Sequence, residues 1–251
     1  MHYIRFVLNR VLGRDTVLDT CILDQSLRLS IAARREIRRA RAISHEEALV
    51  TRMWDHLAPN DVIYDIGANI GVLTLLMAVH QRGTSATVHC FEPEPKNYRQ
   101  LCRNIELNGL SDRVTPHQLA LGTEEGEVNL FVRGTAGEGR HSIVAQAGST
   151  DMISVPLTTA SAFADKSGAA PDVVKIDVEG AEGQVLAGMA RMMEQRHPRE
   201  IFMEIHPKGD RDLMPSGDTI QAWLTQRGYE LAWENERRSG QHRHYRVSDA
   251  V

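Results

Sequence analysis

The fold is decided by the stretch Val62-Ile63-Tyr64-Asp65-Ile66-Gly67-Ala68-Asn69-Ile70-Gly71-Val72-Leu73-Thr74. An apolar run ends in an acid, a turn with two glycines follows, and a second apolar run begins. This order indicates a buried strand, a tight loop and a helix. Glycine at positions 67 and 71 permits positive φ angles and leaves no side chain between the loop and a ligand. The first N–H groups of a helix attract polar ligand groups, so the stretch predicts a ligand pocket at the carboxyl end of its strand.

A second acid lies where the next strand ends. Residues 86–92 are predicted to form that strand, which finishes with Glu92 and is followed by Pro93. An acid about 20 residues beyond a glycine loop is the position from which a carboxylate accepts hydrogen bonds from ribose hydroxyls. Without Glu92 the loop would be equally typical of a plain strand-to-helix connection. The spacing is Gly-x-x-x-Gly rather than the Gly-x-Gly-x-x-Gly of dinucleotide-binding proteins. We therefore predict S-adenosylmethionine as the cofactor and disfavour an NAD-dependent oxidoreductase.

From residue 44 onward, predicted strands and helices alternate, which is typical of a parallel sheet with helices on both faces. Strands near 127–132 and 153–157 interrupt the alternation and predict a ribbon inserted over the pocket. The last two strands, near 229–234 and 243–247, are joined by too few residues for a parallel crossover and must be antiparallel. We predict an α/β fold of the class I methyltransferase, Rossmann-like type. Its mostly parallel sheet ends in an antiparallel C-terminal hairpin.

Residues 1–43 are predicted to form an N-terminal appendage, with a short helix followed by a strand-like stretch near 17–31. The main domain then spans residues 44–251, and it opens on the capping-box pattern Ser44 to Glu47. The appendage holds nine arginines against four acids. This excess favours either a solvated helix face or a basic arm that contacts an anionic acceptor, a membrane surface or a partner. The appendage could also serve as a lid or as the contact of a homo-oligomer.

The composition is that of an ordinary globular protein. With 251 residues and a net charge of −4, nothing suggests a nucleic-acid partner. No run approaches the ~20 apolar residues of a transmembrane helix, and the start of the chain lacks the pattern of a signal peptide. The cysteines Cys21, Cys90 and Cys102 are too few and too scattered for a disulfide framework. We therefore expect a cytoplasmic protein without a transmembrane segment.

A second motif, Lys175-Ile176-Asp177-Val178-Glu179-Gly180-Ala181-Glu182, ends another predicted strand. It brings Asp177 to the sheet edge at which Asp65 and Glu92 end. The following strand finishes with Glu204 and His206, which point to the same side because strand side chains alternate. Methyl transfer to a hydroxyl needs an aligned acceptor and a base for its proton. We therefore predict Asp177, Glu204 and His206 as the catalytic residues.

The same three side chains could instead hold a divalent metal that orients the acceptor hydroxyl. Mg²⁺ prefers oxygen ligands, so His206 fits it poorly. A metal site is therefore the less favoured alternative.

These motifs resemble the FkbM family of S-adenosylmethionine-dependent methyltransferases. The resemblance rests on Asp65 to Gly71, on Phe91-Glu92-Pro93, and above all on the 175–182 motif followed by Val185-Leu186-Ala187-Gly188. It covers roughly residues 44–207 and implies a class I fold. It also implies methylation of a hydroxyl on a sugar, a polyketide or another natural product.

By this resemblance, the glycine loop surrounds the methionine part of the cofactor and Glu92 holds the ribose. The loop around Arg140-His141-Ser142 is expected to close over the cofactor. The cofactor-binding residues predicted in this way are Asp65, Gly67, Ala68, Asn69, Gly71, Thr74, Glu92, Pro93, Ser142 and Asp177.

We predict an O-methyltransferase that acts on a small molecule or a glycan and releases S-adenosylhomocysteine. Two alternatives stay open. An N-methyltransferase would carry an Asn/Asp-Pro-Pro-Tyr-type motif where Asp177-Val178-Glu179-Gly180 stands. A non-catalytic module would bind a membrane or a partner through the arginine-rich appendage.

Overall fold

The computed structural model describes residues 16–31, 46–132, 151–195, 198–205, 214–236 and 240–248. Within these ranges the chain forms twelve strands and six helices. The first seven strands are β1 (Thr16–Ile22), β2 (Gln25–Ile31), β3 (Val62–Ile66), β4 (Thr87–Phe91), β5 (Val114–His117), β6 (Ala120–Leu121) and β7 (Gly126–Val132). The other five are β8 (Asp151–Thr158), β9 (Val173–Ile176), β10 (Glu200–Ile205), β11 (Tyr229–Glu236) and β12 (Gln241–Val247). The helices are α1 (Glu47–Trp54), α2 (Val72–His80), α3 (Pro95–Leu107), α4 (Ala160–Ser167), α5 (Glu182–Met193) and α6 (Ile220–Thr225).

Seven strands form the central sheet, in the order β11-β12-β10-β9-β3-β4-β5. The five strands from β10 to β5 are parallel, and β12 is antiparallel to both of its neighbours. This arrangement confirms the predicted mostly parallel sheet with an antiparallel C-terminal hairpin. From β3 the chain continues to β4, its neighbour on one side. The neighbour of β3 on the other side is β9, which comes later in the chain. Ligands bind at such a switch point because the loops that leave the two strands diverge there.

The sheet is buried on both faces, which explains its nearly continuous apolar strands. Adjacent residues Ile63 and Tyr64 are both fully buried and belong to different cores. Helices α1, α2 and α3 and the β1–β2 hairpin pack on the first face. Helices α4, α5 and α6 pack on the second. Helix α2 lies under the hairpin as well as on the sheet, so its residues from Val72 to Val79 are all buried.

The inserted ribbon is a separate three-stranded sheet in the order β6-β8-β7. Strands β7 and β8 are antiparallel, which matches the predicted pair, and β6 joins β8 in parallel. Strand β6 has only two residues and therefore carries no periodic signal in the sequence. A Cβ atom on Gly188 of α5 would lie 2.0 Å from the carbonyl oxygen of Gly122. Helix α5 and the end of β6 thus touch backbone to backbone.

The strand-like stretch predicted near 17–31 is a two-stranded antiparallel hairpin, β1–β2, rather than one strand. Its turn residues Leu23 and Asp24 both have positive φ angles. Leu27 and Leu29 of the hairpin lie in the same core as Leu101 of α3. The predicted boundary at residue 43 and the helix predicted before the hairpin lie outside the described residues.

At the amino ends of the central strands, Arg199 joins three segments. Its guanidinium group donates two 2.8 Å hydrogen bonds to the two carboxylate oxygens of Asp61 and a third, also of 2.8 Å, to the carbonyl of His56. Asp172 accepts a 2.9 Å hydrogen bond from the N–H of Val62. These bonds fix the starts of β3, β9 and β10 relative to one another.

Candidate cofactor-binding and catalytic site

The glycine loop, residues 67–71, lies across the carboxyl ends of the central strands. The N–H groups of Gly67 and Ala68 both donate 3.0 Å hydrogen bonds to the carbonyl of Phe91 at the end of β4. The N–H of Asp177, which follows β9, donates a 3.0 Å bond to the carbonyl of Ile66. The loop is therefore bonded to β4, and the residue before it is bonded to the chain that leaves β9.

Both glycines adopt the left-handed conformation that the sequence predicts, with φ of 81° at Gly67 and 89° at Gly71. At both positions the place of a Cβ atom is close to other parts of the protein. A Cβ on Gly67 would lie 1.9 Å from the carbonyl oxygen of Asp177. A Cβ on Gly71 would lie 2.4 Å from the Leu101 side chain. Protein atoms fill both spaces, so these glycines are needed for packing.

Asn69 links the glycine loop to the second predicted strand. It has a φ of 55°, a conformation that asparagine tolerates better than most residues. Its side-chain oxygen accepts a 2.8 Å hydrogen bond from the N–H of Ile70. Its own N–H donates a 2.8 Å bond to Oε2 of Glu92. The predicted loop and the predicted ribose-binding acid are therefore in direct contact.

Glu92 is almost completely buried. Its Oε1 accepts hydrogen bonds from the N–H of Glu94 at 2.9 Å and from the Asn97 amide at 3.4 Å. Burial raises the pKa of Glu92 to about 7, although the bonds from Glu94 and Asn69 act in the opposite direction. The carboxyl group can therefore change its charge near neutral pH.

Two clefts open on either side of the loop. The larger has an empty volume of about 660 Å³, including its solvent-open mouth, which is within the usual size of a small-molecule site. Its apolar wall is formed by Phe91, Leu119, Leu121, Leu130 and Val178, and its polar rim includes Gly67, Asn69, Glu92, Pro93 and Asp177. The smaller cleft, about 440 Å³, is lined by Glu46, Ala68, Ile70, Val72, Leu73 and Lys175. Gly67, Asn69 and Asp177 line both clefts.

A buried ion pair lies behind the loop. Nζ of Lys175 is 3.0 Å from Asp65 and 3.8 Å from Asp177, and it donates a 3.2 Å hydrogen bond to the carbonyl of Gly67. Burial lowers the pKa of Lys175, but the two carboxylates outweigh it and raise the pKa to about 12. Thr74 donates a 2.5 Å hydrogen bond to the other oxygen of Asp65.

The structure therefore places Asp65 and Thr74 behind the loop rather than in a cleft. Both are fully buried, and neither is among the residues that line the two clefts. Lys175 is missing from the predicted site residues, although the sequence holds a signal for it. It precedes Asp177 by two residues in the predicted strand, and side chains two apart on a strand share one face.

The predicted catalytic residues are only partly described. Asp177 lines both clefts, and its side chain is 18% exposed. Glu204 is one position beyond Met203–Ile176, the last pair between β10 and β9. Its carboxylate lies 3.6 Å from Nε2 of the buried His242 on β12, a residue that sequence reasoning missed. His206, Ser142 and the loop around Arg140 lie outside the described residues.

One group within the described part of the chain has the spacing of metal ligands, and it is not the predicted one. It consists of His56, Glu200 and His244, near the amino end of β10, opposite the clefts. Nε2 of His244 contacts the Glu200 carboxylate directly at 2.6 Å. Nδ1 of His244 accepts a 3.1 Å hydrogen bond from Arg52. The proton of His244 is therefore on Nε2, the atom a metal would need, and we describe this cluster as a hydrogen-bond network.

None of the helices in the described ranges combines the length and the apolar character needed to cross a membrane.

The family model described as "Methyltransferase FkbM domain" matches residues 65–231, about two thirds of the chain. Among curated proteins, the hexuronic acid methyltransferase AglP of Haloferax volcanii is 29% identical over 184 residues, which are 71% of this chain and 70% of that protein. The 31-O-demethyl-FK506 methyltransferase FkbM of Streptomyces tacrolimicus is 29% identical over 179 residues, which are 60% of this chain and 67% of that protein.

Among solved structures, the methyltransferase FkbM from Methylobacillus flagellatus KT superimposes with a TM-score of 0.50 at 16% identity. The match covers 75% of this chain and 44% of that one, so this chain spans less than half of the solved protein. At this identity the likeness shows a shared fold.

Proposed function

The chain belongs to the FkbM methyltransferase family, and on that premise we propose that it transfers a methyl group from S-adenosylmethionine to a hydroxyl of a small molecule or glycan. The observation that carries the choice of cofactor is the buried carboxylate of Glu92, bonded to the glycine loop at 2.8 Å on the rim of the larger cleft. A carboxylate in this position can accept two hydrogen bonds from a ribose diol.

The residues of the two clefts fit the parts of such a cofactor. The apolar wall of Phe91, Leu121 and Leu130 suits an adenine ring, and Glu92 suits the ribose next to it. The methionine part would then lie toward Gly67 and the smaller cleft. When bound, S-adenosylmethionine supplies an electrophilic methyl group on a sulfonium centre.

The remaining task of the protein is to accept the proton that the acceptor hydroxyl loses. Asp177 is suited to it, because its side chain lines both clefts and ends beside the glycine loop. Lys175 is paired mainly with Asp65, at 3.0 Å against 3.8 Å to Asp177. The Lys175 ammonium group is therefore compensated chiefly by Asp65. Glu204 with His242 is the second candidate base, and His206 remains a third.

The names of two relatives support an oxygen-rich acceptor. One is a methyltransferase of hexuronic acid, and the name of the other specifies an oxygen of FK506. We therefore propose a hydroxyl on a sugar or on another natural product as the methylated group. The chain carries Asp-Val-Glu-Gly at the end of β9, so we rank N-methylation lower.

The first test is binding of S-adenosylhomocysteine, with NAD as the control. A ligand at about 100 times its Kd adds roughly 2.7 kcal/mol of stability, so the Tm should rise by several degrees with S-adenosylhomocysteine and not with NAD. Labelled methyl transfer to a panel of uronic acids, neutral sugars and amines then identifies the acceptor class. Absence of a Tm shift would contradict the proposed cofactor, and transfer to amines alone would contradict O-methylation.

A further inference from the structure

The outer edge of strand β2 is bonded to a row of amide side chains on helix α3. Gln100, Asn104 and Asn108 are spaced four residues apart and therefore share one face of the helix. Asn108 accepts a 2.9 Å hydrogen bond from the N–H of Arg28 and donates a 2.8 Å bond to its carbonyl. The N–H of Ser30 donates to Asn104 at 2.7 Å, and its carbonyl accepts from Gln100 at 2.6 Å. We call these three side chains the amide row.

Asn104 has a second partner on the opposite side. Its Nδ2 donates a 2.8 Å hydrogen bond to the carbonyl of Ile70, in the glycine loop. The Asn104 side chain is fully buried, and Ile70 is 1% exposed. Ile70 directly follows Asn69, whose N–H is bonded to Glu92. One buried amide therefore joins the hairpin to the loop that contacts the ribose-binding candidate.

We propose that Asn104 is a positioning residue for the cofactor, and that through it the β1–β2 hairpin forms part of the support of the glycine loop. This inference rests on the proposed function, because the loop is the proposed cofactor contact. If the Ile70 carbonyl loses its donor, a buried acceptor loses a hydrogen bond and the loop becomes freer to move. Binding must then order the loop, which lowers affinity. Because coupling is reciprocal, a ligand on the loop should also protect the Ser30 amide from hydrogen exchange.

The matched substitutions Asn104→Asp and Asn108→Asp separate this role from general support of the hairpin. Each keeps the oxygen that accepts a hydrogen bond from the hairpin, and each removes the NH₂ donor. In Asn108→Asp the lost donor served the carbonyls of Arg28 and Asn104. In Asn104→Asp it served Ile70 in the loop. We expect the Kd of S-adenosylhomocysteine, measured by calorimetry, to rise about tenfold in Asn104→Asp and less than about twofold in Asn108→Asp.

Hydrogen exchange of the unliganded proteins gives a readout that needs no cofactor. We expect faster exchange of the amides in segment 67–74 in Asn104→Asp, and wild-type exchange there in Asn108→Asp. If Asn104→Asp does not fold, the same two measurements are made on Asn104→Ala, which introduces no buried charge.

Two results would overturn the inference: an equal rise of Kd in both variants, or unchanged exchange of segment 67–74 when Asn104 is replaced. If the wild-type protein itself does not bind S-adenosylhomocysteine, the proposed function fails. The exchange comparison still decides the role of Asn104 in that case.

Discussion

At the scale of single residues, we expect Glu92 to set the pH range in which the larger cleft binds the proposed cofactor. Burial raises the pKa of its carboxyl group to about 7, and the ionised form is the better acceptor for two hydroxyl groups. We expect the affinity for S-adenosylhomocysteine to be constant well above pH 7. As the pH falls below about 7, it should decrease by up to roughly tenfold per unit. Calorimetric titrations on both sides of neutral pH measure this.

The variant Glu92→Gln is the control for that profile. It should bind about 10- to 100-fold more weakly, since each hydrogen bond to a charged group contributes about 1.5–3 kcal/mol, and its affinity should not vary with pH. In the unliganded protein, the pKa of Glu92 is higher in the folded than in the unfolded chain. The free energy of unfolding should therefore decrease as the pH rises from the unfolded pKa to the folded pKa. An equal wild-type Kd at acidic and at basic pH would exclude Glu92 as the diol acceptor.

Lys175 compensates the buried charge behind the glycine loop. Replacing it by methionine leaves Asp65 fully buried without its cation. Removing one partner of such a pair costs about 3–5 kcal/mol, so we expect Lys175→Met to lower the free energy of unfolding by this amount in urea titrations. The double variant Lys175→Met with Asp65→Asn should recover most of the lost free energy of unfolding. A single variant as stable as the wild type would show that the pair carries no net energy.

At the scale of elements, the backbone contact of α5 with the end of β6 depends on Gly188. Alanine is the better helix former by about 1 kcal/mol, so Gly188→Ala would stabilise a free helix. Here its Cβ would lie 2.0 Å from the Gly122 carbonyl. We expect a net loss of about 1–3 kcal/mol and weaker ligand binding, because β6 lies in the wall of the larger cleft. If Gly188→Ala instead raised the free energy of unfolding in urea, α5 and the end of β6 would be able to move apart without loss of stability.

The amino ends of the strands are held by an ion pair whose acid is buried and whose Arg199 side chain is 37% exposed. Asp61 is 2% exposed and accepts two hydrogen bonds from Arg199. Arg246 and Glu230 form a comparable pair at 2.7 Å, but both side chains are nearly half exposed. We expect Arg199→Gln to lower the free energy of unfolding in urea by about 2–4 kcal/mol. The control Arg246→Gln should lower it by less than about 1 kcal/mol. Equal costs would contradict the burial argument.

At the scale of the whole molecule, the β1–β2 hairpin shares a core with the main domain. Its buried side chains are Leu18, Ile22, Leu27, Leu29 and Ile31. Each buried aliphatic side chain contributes about 1.5–3 kcal/mol, so removal of residues 1–31 should abolish cooperative urea unfolding. A stable, cooperatively folded chain without residues 1–31 would instead support the separate appendage that the sequence predicts.

The order of the elements and the position of the glycine loop could be predicted because both are local patterns. The apolar run before Asp65 and the glycines after it lie within thirteen residues. The ion pair of Asp65 with Lys175 depends on the register of β3 against β9, which no local pattern records. Likewise, the hydrogen bond that the N–H of Ser30 donates to Asn104 joins residues 74 positions apart. Sequence reasoning therefore predicted the fold and a candidate site, and it missed the long-range contacts that support the glycine loop.

The amide row has a further consequence for how the chain behaves in concentrated solution. The outward N–H and C=O groups of a strand at the edge of a sheet can pair with a strand of another molecule. Many sheet proteins aggregate in this way. Here Arg28 and Ser30 are bonded on that side by Asn108, Asn104 and Gln100. Helix α3 thus shields this edge as an additional strand would, using side chains that cannot propagate a sheet. We therefore expect the amide row to limit edge-to-edge association of the folded protein, in addition to its proposed role in supporting the glycine loop.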